Sequence, residues 1–220
     1  MPDLIQLAIE VVSAVLCFVL VKFMLKPYEF TREGRYLGLP LGFAFLGISE
    51  VLLGIGIFIE INEIRLIALI SRTFAYIFLV VTYYFSKKPR KYSHVIWNMT
   101  FSLIVVILAA TSFIMLNGSI GFNQPLNPSI YFRIFSLICV GYICIHTLRS
   151  HIQNPERDTI WIPIGFILFG ISQYSILIWA SDAHYVYGVA FTGGWIARLA
   201  GLSIFIAVSY LTLHKRLKKP

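Results

Sequence analysis

The sequence predicts an all-α integral membrane protein, a bundle of seven transmembrane helices with its N-terminus outside, its C-terminus in the cytoplasm and a parallel 3+1+3 internal repeat. Apolar residues make up 58% of the 220 residues and charged residues only 13%. Soluble domains average roughly 45–50% apolar residues and about 25% charged residues. This composition is one of three observations that support the prediction. The others are a one-sided distribution of basic residues and a repeated sequence segment.

Seven apolar runs approach or exceed the roughly 20 residues that a transmembrane helix needs. The runs are 4–25, 37–59, 64–85, 94–116, 129–148, 160–180 and 189–213. Charged, proline-containing or Asn-Gly segments separate them, as expected at helix ends. We therefore divide the chain into a first three-helix repeat (1–88), a linker with the fourth span (89–128) and a second three-helix repeat (129–220).

The orientation follows from the basic residues, which lie in alternate connections. The residues on the basic side are Lys26, Arg32, Arg35, Lys87, Lys88, Arg90, Lys91, Arg149, Arg157, Lys215, Arg216, Lys218 and Lys219. The opposite side carries only Arg65 together with several acids. Basic loops favour the cytoplasm, so the pattern predicts a multi-pass protein of the cell membrane that contacts anionic lipid at its cytoplasmic face.

The repeat is clearest where the second and sixth spans begin. Residues 40–49 and 163–172, offset by 123, agree at six of ten positions: Pro, Gly, Phe, Gly, Ile and Ser. An offset of 126 then pairs Arg72 with Arg198. Spans one to three thus match spans five to seven, and a single linking span gives both triplets the same orientation.

Several classes of function lack their sequence signatures. The net charge of +8 is spread over short clusters between apolar runs, and no soluble segment is long enough for a nucleic-acid-binding fold. The histidines are scattered and no metal motif occurs, so no metal or cofactor is predicted. No catalytic constellation is present, and an enzyme ranks third among the hypotheses below.

Six polar residues lie well inside the predicted spans, where an ionisable group costs roughly 2.5–3.5 kcal/mol on insertion scales. They are the candidate ligand-binding residues Glu10, Glu50, Arg72, Arg133, Gln173 and Arg198. The repeat pairs them as 10 with 133, 50 with 173 and 72 with 198. Small residues share the helix faces of Glu50, Arg72 and Arg198, which predicts that these charges point into the bundle.

Two interpretations of these residues remain open. The six form either a closed network that holds the helices together or the lining of a pocket. Their formal sum is +1, and a buried excess cation favours an anionic ligand or a change in protonation. Glu50 and Arg72 should lie within ion-pair reach, whereas Gln173 replaces the acid beside Arg198, so we expect Arg198 to remain unpaired and available to a ligand.

The arrangement of spans, with Pro40 and Pro163 opening equivalent helices, resembles that of the SWEET and PQ-loop carriers and of the microbial rhodopsins. The resemblance covers nearly the whole chain. No Pro-Gln dipeptide occurs, and the seventh span has no lysine before Lys215 to form a retinal Schiff base. The resemblance therefore implies an architecture and no residue-by-residue function.

The leading hypothesis is a small secondary carrier or binder of a small polar or anionic solute, with its site near the membrane midplane between the two repeats. Arg72 and Arg198 would bind the anion, and Glu50 would bind a proton or cation. The alternative is a sensor or an assembly subunit that acts through a membrane-protein partner, because the connections are short and no soluble output domain is present.

Overall fold

A computed structural model describes residues 2–31, 37–59, 62–86, 99–100, 102–103, 106, 128–153, 160–180 and 187–217. Within these residues the chain forms six long helices. They are α1 (Pro2–Thr31), α2 (Gly38–Ile59), α3 (Asn62–Ser86), α4 (Pro128–Gln153), α5 (Trp161–Ala180) and α6 (Tyr187–Leu217).

Each of the six described helices contains a segment long and apolar enough to cross a bilayer, with mean hydropathies between 1.6 and 2.6. The chain is thus a multi-pass membrane protein with an all-helical fold. The six segments coincide with six of the predicted spans. The predicted span 94–116 lies outside the described residues except for 99–100, 102–103 and 106.

Two features of the sequence let these helices form in an apolar environment. Pro40 and Pro163 each occupy the third position of their helix, where the missing backbone N–H leaves no hydrogen bond broken. Thr82 and Thr147 donate to backbone carbonyls one turn earlier, at 2.7 and 2.8 Å. These two threonines thus satisfy their hydroxyl groups within their own helices.

The described helices form a closed ring in which α1 packs on α2, α2 on α3, α3 on α4, α4 on α5, α5 on α6 and α6 on α1. α3 and α4 run in the same direction. The Thr73 and Ser136 hydroxyls lie 3.1 Å apart, and ten residues further along both helices the rings of Tyr83 and His146 lie 5.9 Å apart. Antiparallel helices would move away from each other over that distance.

Large aromatic and aliphatic side chains fill the ring toward the end at which α1 finishes. The Phe205 ring lies 5.6 Å from Phe43, 4.7 Å from Phe166 and 5.8 Å from Phe169, measured between centroids. Apolar side chains also cover the outside of the ring; Ile145, for example, is 70% exposed. An apolar exterior is what a bilayer requires.

Glycines bring the helices together at positions that the repeat pairs. A Cβ added to Gly42 would lie 2.7 Å from Leu79, and one added to Gly165 would lie 2.8 Å from Phe205. Offsets of 123 and 126 relate these two contacts to each other. The repeat itself stays a prediction, but equivalent residues pack on equivalent residues here.

Candidate functional site: a buried charge network

Four charged side chains meet inside the helix ring. Glu10 on α1, Glu50 on α2, Arg72 on α3 and Arg198 on α6 are each no more than 4% exposed. Arg72 lies ten residues after Asn62, the first residue of α3, or roughly 15 Å along the helix. A hydrocarbon core is about 30 Å thick, so this depth is near its middle.

The predicted pair between Glu50 and Arg72 is confirmed. Arg72 Nη2 donates to Glu50 Oε1 at 2.8 Å. The small residues that share their faces, including Gly47 and Ala68, are buried with them. The sequence pattern therefore placed both charges on the correct side of α2 and α3.

The prediction that Arg198 lacks a partner is wrong. Arg198 Nη1 donates to Glu50 Oε2 at 2.5 Å, and Arg198 Nη2 lies 3.0 Å from Glu10 Oε2. The carboxylate of Glu50 thus binds one arginine with each oxygen. The two arginines and two glutamates form a chain in the order Glu10, Arg198, Glu50, Arg72, and their formal charges balance.

The contact between Arg198 and Glu10 is an ion pair without hydrogen-bond alignment. The two atoms are 3.0 Å apart, yet neither Arg198 Nη2 nor Glu10 Oε2 makes a hydrogen bond with any group, because the N–H does not point at the oxygen. The Coulomb attraction remains, since it depends on distance and weakly on angle. This link is the less well-formed of the two that Arg198 makes.

Gln173 does not join the charge network. Its Nε2 donates to the hydroxyl oxygen of Tyr76 at 3.0 Å, and both side chains are buried. Tyr76 was missing from the sequence-based candidates. It lies one turn after Arg72 on α3, and that spacing of four residues is the signal that would have identified it.

Arg133 is also separate from the network. Its Nε is buried without a hydrogen-bond partner, and within the described part of the chain no carboxylate forms an ion pair with it. Its neighbour Phe132 accepts from the hydroxyl of Thr73, the residue after Arg72, at 3.4 Å, so Arg133 lies where α4 packs on α3. The excess cation expected from the sequence is therefore present, but it is Arg133 and not Arg198.

Three serine hydroxyls in the ring, those of Ser13, Ser49 and Ser172, are fully buried and make no hydrogen bond. Ser49 and Ser172 directly precede Glu50 and Gln173, and the offset of 123 pairs them. Buried hydroxyl groups without partners carry a desolvation cost. The polar layer thus keeps unused hydrogen-bonding capacity beside its charges.

The chemistry available here is electrostatic. Over the residues that the structure describes, no group of three His, Cys, Asp or Glu side chains is placed to hold a metal ion. The network can hold helices together, and it can respond to a change in protonation or to a competing ion. Comparisons of the chain with protein-family models, with curated proteins and with solved structures gave no match.

Proposed function

We propose that this chain is a seven-helix sensor or assembly subunit that acts through a membrane-protein partner. The observation that carries the proposal is the double pairing of Arg198 with Glu50 and Glu10. A carrier whose anion site is Arg198 needs that guanidinium free. Here the guanidinium of Arg198 is paired with the carboxylates of Glu10 and Glu50, and these contacts join α6 to α1 and α2.

A neutral, buried network of this kind fits a helix bundle that holds one arrangement until a signal breaks it. Removing one member of a buried ion pair costs about 3–5 kcal/mol, because its partner is left as an uncompensated charge. A ligand, a proton or a partner helix that competes for one carboxylate would therefore change how α6 packs on α1 and α2.

The seven-helix arrangement and the repeat are part of the proposal. The parallel direction of α3 and α4 supports one further crossing between Ser86 and Pro128, since the chain has to return to the side from which α3 began. The contacts between α3 and α4, between α6 and α1, and at the paired glycines support a repeat related by an axis along the membrane normal. The basic connections support an N-out orientation in the cell membrane.

Arg133 favours a second candidate function, the secondary carrier. It provides a positive charge that the network leaves uncompensated, and it lies where α4 of the second predicted repeat packs on α3 of the first. Sites between repeats are where carriers bind their substrates. In this alternative the network would open and close during transport.

Flux measurements on purified protein in liposomes separate the two candidates. With labelled sulfate, phosphate and small carboxylates inside the vesicles, the sensor or assembly role predicts efflux no faster than from protein-free liposomes. Saturable efflux of any of these anions that is lost in Arg133→Gln would overturn the proposal in favour of the carrier. Arg149→Gln, an exposed arginine on the same helix, is the matched control.

A further inference from the structure

We infer that Arg133 and Arg72 form a binding site for an oxyanion, a carboxylate, sulfate or phosphate group, where α4 packs on α3. The starting point is the charge balance of the buried polar layer. On formal charges Glu10, Glu50, Arg72 and Arg198 balance one another, and Arg133 adds one positive charge. Arg133 and Arg72 are chain neighbours of a contact between the two helices, because the hydroxyl of Thr73 donates to the carbonyl of Phe132 at 3.4 Å. An excess charge in an apolar environment is unfavourable without a counter-ion.

Both arginines carry unused hydrogen-bond donors. The Nε atoms of Arg133 and Arg72 are both buried, and neither donates a hydrogen bond. The Arg72 side chain as a whole is only 5% exposed. A guanidinium presents its donors in a planar fork that matches the oxygens of a carboxylate or phosphate group, so two arginines with unused donors on packed helices suit an oxyanion.

The predicted repeat relates this pair of residues to a pair on the other side of the helix ring. The offsets of 123 and 126 map the pair Glu10 and Arg198 onto the pair Arg133 and Arg72. On one side a carboxylate lies 3.0 Å from the arginine. On the other side a second arginine takes the place of that carboxylate, so an external oxyanion would supply there the negative charge that Glu10 supplies between α1 and α6.

The fourth step is access. Arg133 is only half-buried, and its neighbours Tyr131 and Ile134 are 56% and 41% exposed. Arg133 also lies five residues, roughly 7.5 Å, from the first residue of α4. The headgroup of an anionic lipid and a soluble anion offer the same oxyanion chemistry, and the experiment below separates them.

Only the role of the bound anion as a signal rests on the proposed function. Anion binding itself can be measured on the purified chain without its membrane-protein partner. The full chain is purified in neutral detergent, and its thermal unfolding is followed with sodium sulfate against sodium chloride of equal ionic strength. A second titration compares phosphatidylglycerol with phosphatidylcholine. At ten times its Kd, a ligand that binds only the folded state raises the folded-to-unfolded ratio about 11-fold.

We expect the wild-type protein to be stabilised by sulfate, which identifies a soluble anion, or by phosphatidylglycerol alone, which identifies a lipid headgroup. Arg133→Gln should lose that response, and the control Arg149→Gln should keep it. Arg133→Glu provides a second test because it places a carboxylate beside Arg72. It should lose the response and unfold at a higher temperature than Arg133→Gln.

Absence of stabilisation of the wild-type protein by both probes, or a response that survives in Arg133→Gln or Arg133→Glu, would overturn the site. Stabilisation together with anion flux would keep the site and overturn the sensor or assembly role. Stabilisation without flux supports both the oxyanion site and the sensor or assembly role. The failure of one proposal is thus distinguishable from the failure of the other.

Discussion

At the scale of single residues, Glu50 and Arg198 determine how the buried charges are distributed. Glu50 accepts from Arg72 with one oxygen and from Arg198 with the other. The proximity of Glu50 and Arg72 could be predicted because they lie at similar depth on sequential helices. The partners of Arg198 were not predicted, since they lie on α1 and α2, far along the chain from α6, and come within its reach only because the helices close into a ring.

The first prediction concerns the weaker link of Arg198. In a double-mutant cycle, Glu10→Gln and Arg198→Leu should be coupled by about 0.5–3 kcal/mol. Once Arg198 is replaced, the Glu10 carboxylate is an uncompensated negative charge, and Glu10→Gln removes it. The measurement is the free energy of unfolding in detergent micelles. Additive effects of the two substitutions would show that the 3.0 Å contact carries no energy.

At the scale of helices, apolar run length identified the helices that the structure describes, because a bilayer imposes nearly the same length on every span. Helix faces could also be read, since small residues accompany Glu50, Arg72 and Arg198. Which helices become neighbours depends on side-chain fit, such as that of Gly165 against Phe205, and periodicity does not encode it. Tyr76 was missed for this reason, and Arg198 was wrongly predicted to lack a partner.

The second prediction tests the close approach of α5 and α6. In Gly165→Ala, the new Cβ would lie 2.8 Å from the Phe205 ring, which is confined by three other aromatic rings. Overpacking of this kind typically costs 1–3 kcal/mol, so we expect a loss of about that size in unfolding free energy. Gly141→Ala is the control because a Cβ there meets nothing within 4 Å. Equal stability of the two variants would contradict the packing.

The third prediction tests the contact between α3 and α4 that closes the ring. With Cys17, Cys139 and Cys144 replaced by alanine, Thr73→Cys together with Ser136→Cys should form a disulfide on mild oxidation. The native hydroxyls lie 3.1 Å apart, so the two Cβ atoms are within reach of each other. The control pair is Thr82→Cys with Ser136→Cys. It should not cross-link, because Thr82 lies nine residues further along α3 than Thr73. Cross-linking of the control pair alone would mean that the helices are displaced along each other.

At the scale of the whole molecule, composition alone sufficed to identify a membrane protein, because 58% apolar residues cannot be buried in a soluble domain of this size. Orientation and the seventh crossing depend on the connections between the helices. The bias of basic residues predicts the orientation, and the parallel direction of α3 and α4 supports the extra crossing. The orientation does not follow from the packing of the six described helices.

The fourth prediction concerns that orientation. A single cysteine at position 123, in a chain without its native cysteines, should react in intact cells with a reagent that cannot cross the membrane. A cysteine at position 88 should react only after the cells are opened. The physical reason is the retention of basic connections in the cytoplasm. Reaction at position 88 in intact cells would show that the orientation is the opposite of the predicted one.

The central claim is that Arg198 is a structural member of a neutral network, and its replacement by leucine tests that claim most directly. The free energy of unfolding of Arg198→Leu should fall by about 3–5 kcal/mol, at least as far as that of Arg72→Leu, because Glu10 and Glu50 both lose a buried partner. Arg149→Leu, on an exposed position, should change it by no more than about 0.5 kcal/mol. An Arg198→Leu protein as stable as the wild type, or more stable, would contradict the network and return Arg198 to the role of a free ligand-binding cation.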